Sequence, residues 1–316
     1  MTQQHTVALI GAPSSVGGLP VGSDIGPARL REAGLVARLR QVGLEVSDFG
    51  DVPVPRHHLR GGYRSRFANT ESVARWVAKY AWRAIAQDMV PLVLGGDHSV
   101  AMGSIAAAAQ SVPGLGVVWV DAHPDFNTPE TSPTGNPHGM ALAVAAGLGP
   151  LPLVRLMGYT PMVHPERIVI LGARSIDAGE LDNLRRAGVQ VYNSEYLHDH
   201  GVRETVGEAL AHLADAQVRA VHLSIDLDVL DPAHWPGVST PADDGLTASE
   251  LVALVDAVSQ MAPISSMDLA ELTPAEDVEG ATTEAAIQVA EHALASLVRQ
   301  AIDSPGRGSP VGASAA

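Results

Sequence analysis

The stretch Gly116-Val117-Val118-Trp119-Val120-Asp121-Ala122-His123-Pro124-Asp125 joins an apolar run to an Asp-x-His-x-Asp motif. The apolar run has the length of a buried strand, so the polar residues stand at its carboxyl end. Along an extended segment, residues two apart point to the same side, and Asp121, His123 and Asp125 can therefore converge. Because ligands collect at the carboxyl ends of parallel strands, the motif predicts a parallel sheet with a site at its edge.

Two other stretches also place polar residues after an apolar run, namely Leu94-Gly95-Gly96-Asp97-His98-Ser99 and Ser224-Ile225-Asp226-Leu227-Asp228. The candidate metal ligands of the three stretches are His98, Asp121, His123, Asp125, Asp226 and Asp228. This hard, mostly oxygen ligand set favours Mn²⁺, with Co²⁺ or Fe²⁺ as alternatives. Four carboxylates are too many for one divalent ion, so we expect two ions that share bridging carboxylates.

Each of these residues also has an ordinary structural role to be weighed against metal binding. A single Asp after a strand, such as Asp97 or Asp231, is more often a turn or helix cap. A single His is more often a hydrogen-bonded structural residue than a ligand. For the six together, that explanation would require unpaired charges to be buried side by side, which is costly. The group as a whole therefore favours a metal centre.

Apolar, β-rich runs alternate with stretches of helical period, which predicts a three-layer α/β/α fold with a mostly parallel central sheet. We expect about eight strands, at residues 7–10, 46–49, 91–94, 116–120, 168–171, 189–192, 221–225 and 264–269. The clearest helices are expected at 28–42, 70–87, 248–260 and 284–302. Without a repeat or linker, residues 1–303 are expected to form one domain. Residues 56–69 are expected to be a surface insertion and 304–316 a disordered tail.

Composition limits the classes of partner. The chain has 316 residues, with 35 acidic against 20 basic side chains, a net charge of −15 and no cysteine. The acidic excess disfavours nucleic acid and anionic lipid, and the missing thiols exclude disulfides, thiolate metal sites and cysteine nucleophiles. No export signal and no stretch long enough to span a bilayer is evident. We therefore expect a cytoplasmic protein that binds a small molecule rather than nucleic acid or a membrane.

A dinuclear centre lowers the pKa of a bridging water, so hydrolysis is the expected reaction. The sequence resembles the ureohydrolases and, among them, the arginase family, from Gly11-Ala12-Pro13 to Glu271-Leu272-Thr273-Pro274. Arginases, agmatinases and other guanidino hydrolases share the metal motifs, which therefore leave the substrate open. The resemblance implies that Asp121 and Asp226 bridge both ions, with His98 and Asp125 completing one site and His123 and Asp228 the other.

The resemblance also implies a substrate. Asn127, Thr134 and Asn136 match arginase residues that hydrogen-bond the α-carboxylate of L-arginine, an arrangement that agmatinases lack. Asp177 matches the residue that receives the α-ammonium group, with Glu180 close by. Neutral amide and hydroxyl donors suit a carboxylate and an Asp suits an ammonium, so the chemistry of these residues agrees with the resemblance.

Three further residues complete the reaction that the resemblance implies. His138 matches a loop histidine that acts as general acid, Glu271 the glutamate that pairs with the guanidinium, and Thr240 a residue beside the site. A metal-bridging hydroxide would attack the guanidinium carbon, with Asp125 near the tetrahedral intermediate, and L-ornithine and urea would leave. This reaction belongs to arginine metabolism and the urea cycle, and the family suggests a homotrimer or homohexamer.

Three alternatives stay open at the level of sequence. The chain could be an agmatinase or a hydrolase of another guanidino acid, since those enzymes share the metal motifs. It could instead be a non-catalytic metal-binding homologue, although His138 and Glu271 are both intact. A dinucleotide-binding role is weaker, because Gly11-Ala12-Pro13 and Gly17-Gly18 do not form the Gly-x-Gly-x-x-Gly pattern.

Overall fold

The computed structural model describes residues 6–55 and 63–303. Its centre is one parallel sheet with the strand order β2-β1-β3-β8-β7-β4-β5-β6. The strands are β1 Thr6–Ala12, β2 Glu45–Asp51, β3 Val90–Gly95, β4 Gly116–Val120, β5 Ile168–Ala173, β6 Gln190–Asn193, β7 Val221–Asp226 and β8 Ile264–Ala270. All eight expected strands are present, which confirms the predicted sheet.

Helices fill the connections between the strands. They are α1 Gly26–Glu32, α2 Leu35–Gln41, α3 Tyr63–Ile85, α4 Ala101–Ser111, α5 Ala141–Ala145, α6 Leu151–Val154, α7 Ala178–Ala187, α8 Ser194–His200, α9 Val202–Asp215, α10 Ala248–Met261 and α11 Ala281–Asp303. Within the two described segments, none of these helices is long and apolar enough to cross a membrane.

Two helix predictions differ from the structure. The single helix expected at 28–42 is divided into α1 and α2, because the chain turns at Gly34, which has a left-handed φ of 94°. The helix expected from Thr70 begins at Tyr63, so the second half of the expected insertion is helical. The rest of that insertion, 56–62, and the expected tail, 304–316, lie outside the described residues.

Both faces of the sheet are covered by helices, as strand alternation requires. On β1, Val7 and Leu9 pack into the cluster formed with α1, α2 and α8 to α11. Ile10 and Ala12 face the other way, toward α3 and α4. Farther along the same face, β4 and β5 pack against α4 to α7. Fully burying one Val or Leu side chain contributes about 1.5–3 kcal/mol. The three-layer α/β/α arrangement is therefore the one that the sequence predicted.

Strand order explains why ligands distant in sequence meet. The segments carrying His98, Glu271, the Asp226/Asp228 pair and Asp121 follow β3, β8, β7 and β4, four strands that are consecutive in the sheet. Parallel strands present all their carboxyl ends at one edge. The candidate site therefore occupies the middle of that edge.

Candidate metal centre and active site

His98 is positioned by the short 3-10 helix His98–Val100, directly after β3. Asp97 caps this helix, since its carboxylate accepts a hydrogen bond of 3.0 Å from the Ser99 N–H and one of 2.8 Å from the Gly17 N–H. The preceding turn is tight, because a Cβ on Gly96 would lie 2.1 Å from the Ser14 carbonyl oxygen. The ordinary capping role considered for Asp97 is thus the one that the structure shows.

The candidate ligands form two groups that share one residue. His98, Asp121 and Asp226 form the first, and Asp121, His123 and Asp228 the second, each with its potential ligand atoms within 4.8 Å of one another. Asp121 Oδ2 is 3.0 Å from His98 Nδ1, while Asp121 Oδ1 is 3.6 Å from His123 Nδ1. The two oxygens of one carboxylate therefore face different groups, as a bridging ligand requires.

The outer members of the two groups are equally close. His98 Nδ1 lies 3.2 Å from Asp226 Oδ2, and His123 Nδ1 lies 2.9 Å from Asp228 Oδ2. Asp226 belongs only to the His98 group, so the second bridge that the resemblance implies is not evident from this clustering. The structure thus brings five of the six candidate ligands together around Asp121.

Asp125, the sixth candidate, lies beside the first group. Its Oδ2 is buried, has no hydrogen-bond donor among the residues that the structure describes, and is 3.4 Å from His98 Nδ1. The Asp125 backbone has a φ of 48°, a strained value for a residue with a side chain. Its carbonyl holds that conformation by accepting the N–H groups of Leu142 and Ala143, both at 3.1 Å. A buried acceptor aimed at the cluster fits a bound cation.

Electrostatics also fit two cations. Burial, together with Asp228 and Asp125, raises the pKa of Asp121 to about 6. Burial, with Asp228 and Asp121, raises the pKa of Asp226 well above its usual value. Burial alone would lower the pKa of His123, but Asp228 and Asp121 raise it to about 12. These shifts report an excess of buried negative charge, which two divalent ions would balance against four carboxylates.

Trp119 supports the first group and was not identified from the sequence. Its ring stacks on His98 with centroids 4.0 Å apart and planes inclined by 20°. Its Nε1 donates a hydrogen bond of 3.0 Å to Asp121 Oδ2. The available signal was its position two residues before Asp121, because such residues share a side of the strand and a buried indole N–H needs an acceptor.

A buried polar chain, formed by Ser224, Asp268, His222 and Ser266, extends from the far side of His98. His98 Nε2 is 2.9 Å from Ser224 Oγ, which donates to Asp268 Oδ1 at 2.6 Å. Asp268 Oδ2 is 2.8 Å from His222 Nε2, and His222 Nδ1 is 2.7 Å from Ser266 Oγ. Polar residues alternating within β7 and β8 could have predicted this chain, since the parallel register pairs His222 with Ser266 and Ser224 with Asp268.

A cavity of ≈ 340 Å³ opens beside the metal groups. Its wall includes the predicted site residues His123, Asp125, Asn127, Thr134, Asn136, His138, Asp177, Glu180, Asp226 and Thr240. Leu19, Ser132 and Ser175 also contact the cavity, although no sequence motif had identified them as site residues. Predicted metal ligands and predicted substrate-binding residues therefore face one shared space.

The polar end of the cavity is tied to the start of α7. Asn127 Nδ2 donates to Asp177 Oδ2 at 2.9 Å, and Asp177 is the N-cap residue of α7. Glu180 accepts hydrogen bonds from the N–H groups of Phe126 at 2.7 Å and Asp177 at 3.2 Å. Burial raises the pKa of Glu180 to about 8. Both Glu180 oxygens accept backbone hydrogen bonds, so Glu180 fixes the shape of this end of the cavity. Asp177 is the carboxylate there that is more available to a ligand.

His138 and Glu271 form a pair at the other end. His138 Nδ1 is 3.2 Å from Glu271 Oε1, and the same oxygen accepts the His98 N–H at 2.9 Å. Burial alone would lower the pKa of His138, but the hydrogen bond to Glu271 raises it to about 9. The Glu271 backbone has a left-handed φ of 65°. Glu271 is buried behind His138 and is not among the residues that line the cavity. Thr240 does line the cavity, and its Oγ1 donates a hydrogen bond of 2.8 Å to Asp228 Oδ2.

A parallel α/β sheet with a shared-carboxylate cluster at its carboxyl edge is typical of a metal-dependent hydrolase. Residues 5–296 match the model of the arginase family. The arginase of Bacillus subtilis is 39% identical over 294 residues, which is 92% of this chain and 97% of that protein. The chain belongs to the arginase family, within the ureohydrolases.

Solved structures agree with that assignment. A crystal structure of the Bacillus subtilis arginase superposes with a TM-score of 0.86 at 38% identity, covering 92% of this chain and 98% of that one. The Entamoeba histolytica arginase in complex with L-ornithine superposes with a TM-score of 0.84 at 30% identity, covering 92% and 99%. The predicted fold and family are therefore confirmed.

Proposed function

We propose that this chain is an arginase that hydrolyses L-arginine to L-ornithine and urea at a pair of divalent metal ions. One observation carries the proposal: a single cavity joins the cluster around Asp121 to the polar residues Asn127, Thr134, Asn136 and Asp177. The first part suits activation of water, and the second suits the α-amino and α-carboxylate groups of an amino acid. The complex of the Entamoeba histolytica relative with L-ornithine supports this choice of substrate.

The substrate has a defined orientation in this proposal. Asp177 binds the α-ammonium group as an ion pair, while Asn136 and Thr134 donate hydrogen bonds to the α-carboxylate. The guanidinium then points along the cavity to Asp125 and Asp226, which line its inner wall. Holding both ends of a flexible substrate makes the attack effectively intramolecular, which lowers the barrier through orientation.

The chain's own residues provide proton transfer and charge. When bound, two divalent ions supply Lewis acidity and an activated water. His138 is held by Glu271 Oε1 and lines the cavity, where it can deliver a proton to the leaving amine of ornithine. Glu271 keeps that imidazole oriented, and Thr240 fixes the Asp228 carboxylate through its hydroxyl. Asp125 lines the cavity, where its carboxylate attracts the positively charged guanidinium and helps to place its carbon beside the metal groups.

The principal rival is a hydrolase of agmatine or another guanidino compound. Those substrates lack either the α-carboxylate or the α-ammonium group, so one half of the polar end of this cavity would have no partner. We expect purified, Mn²⁺-loaded protein to release urea from L-arginine far faster than from agmatine or guanidinobutyrate. Faster agmatine turnover would overturn the proposal, and release from none of the three would favour a non-catalytic homologue.

The finer properties are proposals of the same kind. We expect both ions to be Mn²⁺, because most ligand atoms are carboxylate oxygens, with Co²⁺ and Fe²⁺ as alternatives. Elemental analysis of protein purified without added metal tests this. A homotrimer or homohexamer, a cytoplasmic location, and one domain over 1–303 remain predictions from sequence and family. Light scattering, cell fractionation and limited proteolysis test them in turn.

A further inference from the structure

A cationic side chain from a helix on one face of the sheet contacts the end of the cavity where the α-carboxylate of the substrate is proposed to bind. Arg66, in the first turn of α3, donates a hydrogen bond through a terminal guanidinium nitrogen to Asn136 Oδ1. Arg66 is partly buried, and the two residues are 70 positions apart in sequence. Asn136 lines the cavity next to Thr134, where the substrate carboxylate is proposed to bind.

This contact determines which way the Asn136 amide faces. A guanidinium has only donors, so the amide atom turned toward Arg66 must be the oxygen. The amide nitrogen therefore points away from Arg66 and can donate to an anion. The loop itself is held by local hydrogen bonds: Thr134 Oγ1 accepts the Asn136 N–H at 3.2 Å and Ser132 Oγ accepts the Gly135 N–H at 3.0 Å.

Charge around the cavity gives Arg66 a second effect. None of the described residues on the cavity wall is Lys or Arg, whereas Asp125, Asp177 and Asp226 are on it. Asp125 and Asp226 stand at the metal groups, so Asp177 is the one of these three carboxylates at the far end, and no described cation on the wall there compensates for an entering carboxylate. Arg66 places a permanent positive charge directly behind Asn136, where the guanidinium is partly shielded from water.

Helix stability does not account for the position of Arg66. The amino end of a helix carries the positive end of the helix dipole, which disfavours a cation in the first turn. The first turn of α3 has no acidic side chain to compensate. The contact with Asn136 gives the side chain a partner that its own helix does not.

We propose that Arg66 is a positioning residue for substrate selection. It fixes the Asn136 amide with its donors toward the cavity and supplies the positive charge that favours substrates with an α-carboxylate over decarboxylated analogues. This inference rests on the proposed arginase function. It adds a specificity determinant from α3 to the residues that follow the metal motif.

The test compares Arg66→Gln, Arg66→Lys and the matched control Arg64→Gln in metal-loaded protein. Arg64 lies two residues earlier and is exposed. For Arg66→Gln we expect the KM for L-arginine and the inhibition constant of L-ornithine to rise on the order of tenfold, the loss typical of a charge-assisted hydrogen bond. Its kcat and the inhibition constant of putrescine, which has no carboxylate, should stay within about twofold. Arg66→Lys should restore most of the affinity.

Several results would overturn the inference. These are an unchanged KM in Arg66→Gln, a parallel loss of L-ornithine and putrescine binding, or the same effect from Arg64→Gln. Failure of the proposed function is distinguishable, because wild-type protein would then release no urea from L-arginine. In that case, calorimetric binding of L-ornithine and putrescine still measures whether Arg66 recognises a carboxylate.

Discussion

Replacing Asp268 by Asn tests whether the buried polar chain controls the metal centre. To bind a cation, His98 Nδ1 must present its lone pair, so Nε2 carries the proton and donates to Ser224 Oγ. Ser224 then donates to Asp268 Oδ1, and His222 Nε2 donates to Oδ2. Every hydrogen-bond donor of the buried polar chain is directed toward Asp268. Its carboxylate therefore sets the tautomer of His98 and makes Nδ1 a better ligand.

The expected magnitude follows from the contacts of Asp268. The fully buried carboxylate accepts hydrogen bonds from Ser224 at 2.6 Å, from His222 at 2.8 Å and from Ser104. Losing the outer partner of a metal-bound histidine typically lowers metal affinity about 10–100-fold, or about 1.4–2.8 kcal/mol. Asn keeps the size of the side chain and one acceptor for Ser224 but loses the charge. We expect a loss of about tenfold, at the lower end of that range.

Calorimetric titration of metal-free protein with Mn²⁺ measures the effect. Only the affinity for the ion bound by the His98 group should fall, because His123 and Asp228 do not contact the buried polar chain. Ser224→Ala should cause a smaller loss, since Asp268 Oδ1 is already 3.7 Å from His98 Nε2. Asp48→Asn, which removes a carboxylate from the edge strand β2, is the control. Wild-type affinity for both ions in Asp268→Asn would refute the reasoning.

Three further predictions concern the reaction, the metal and the fold. Replacing His138 with Asn should lower kcat by about 10²–10⁴-fold while L-ornithine affinity is kept; a loss below tenfold in steady-state kinetics would exclude a proton-transfer role. Chelation should lower the thermal unfolding midpoint, because the four carboxylates lose their counter-charge, and Mn²⁺ at 100 times its Kd should restore about 2.7 kcal/mol for each ion bound; equal midpoints in calorimetry would contradict the metal assignment. Thr247→Ala should lower the free energy of unfolding in urea by about 1 kcal/mol without changing kcat, because Thr247 Oγ1 accepts the Glu250 N–H at 3.2 Å in the capping box of α10; unchanged stability would show that this cap contributes nothing.

The centre of the sheet could be predicted because its six inner strands are buried on both faces, whereas the edge strands β2 and β6 are not. Such buried strands appear in sequence as continuous apolar runs, and their expected bounds differ from the observed ones by only a few residues. Helix ends were predicted less well. The break at Gly34 depends on a left-handed turn that the helical period does not reveal. The early start of α3 contradicts a polar, Arg-rich composition that indicated a loop.

The candidate site also has parts that could be predicted from the sequence and parts that could not. The metal groups were predictable because their ligands follow apolar strand runs, whose carboxyl ends meet at one edge of a parallel sheet. The expected extended geometry does not hold for Asp228, which lies in the 3-10 helix Leu227–Val229 and faces a different group from Asp226. The buried polar chain through Asp268 joins two strands that are consecutive in sequence, β7 and β8, and their alternating polar residues were a signal that the prediction did not use. The Arg66 contact joins a helix to a loop 70 residues away, so no local pattern could indicate it.

Metal binding and substrate selection depend on different kinds of structure in this chain. The metal groups stand at the ends of β3, β4 and β7, whose registers are fixed by paired neighbours buried on both faces. Residues proposed to select the substrate lie on the loop from Asn127 to Asn136 and at the start of α7. A loop tolerates substitution better than a central strand, because fewer buried contacts depend on it. If the proposed roles hold, the metal centre determines the reaction, while the loop and Arg66 of α3 determine which guanidino substrate is accepted.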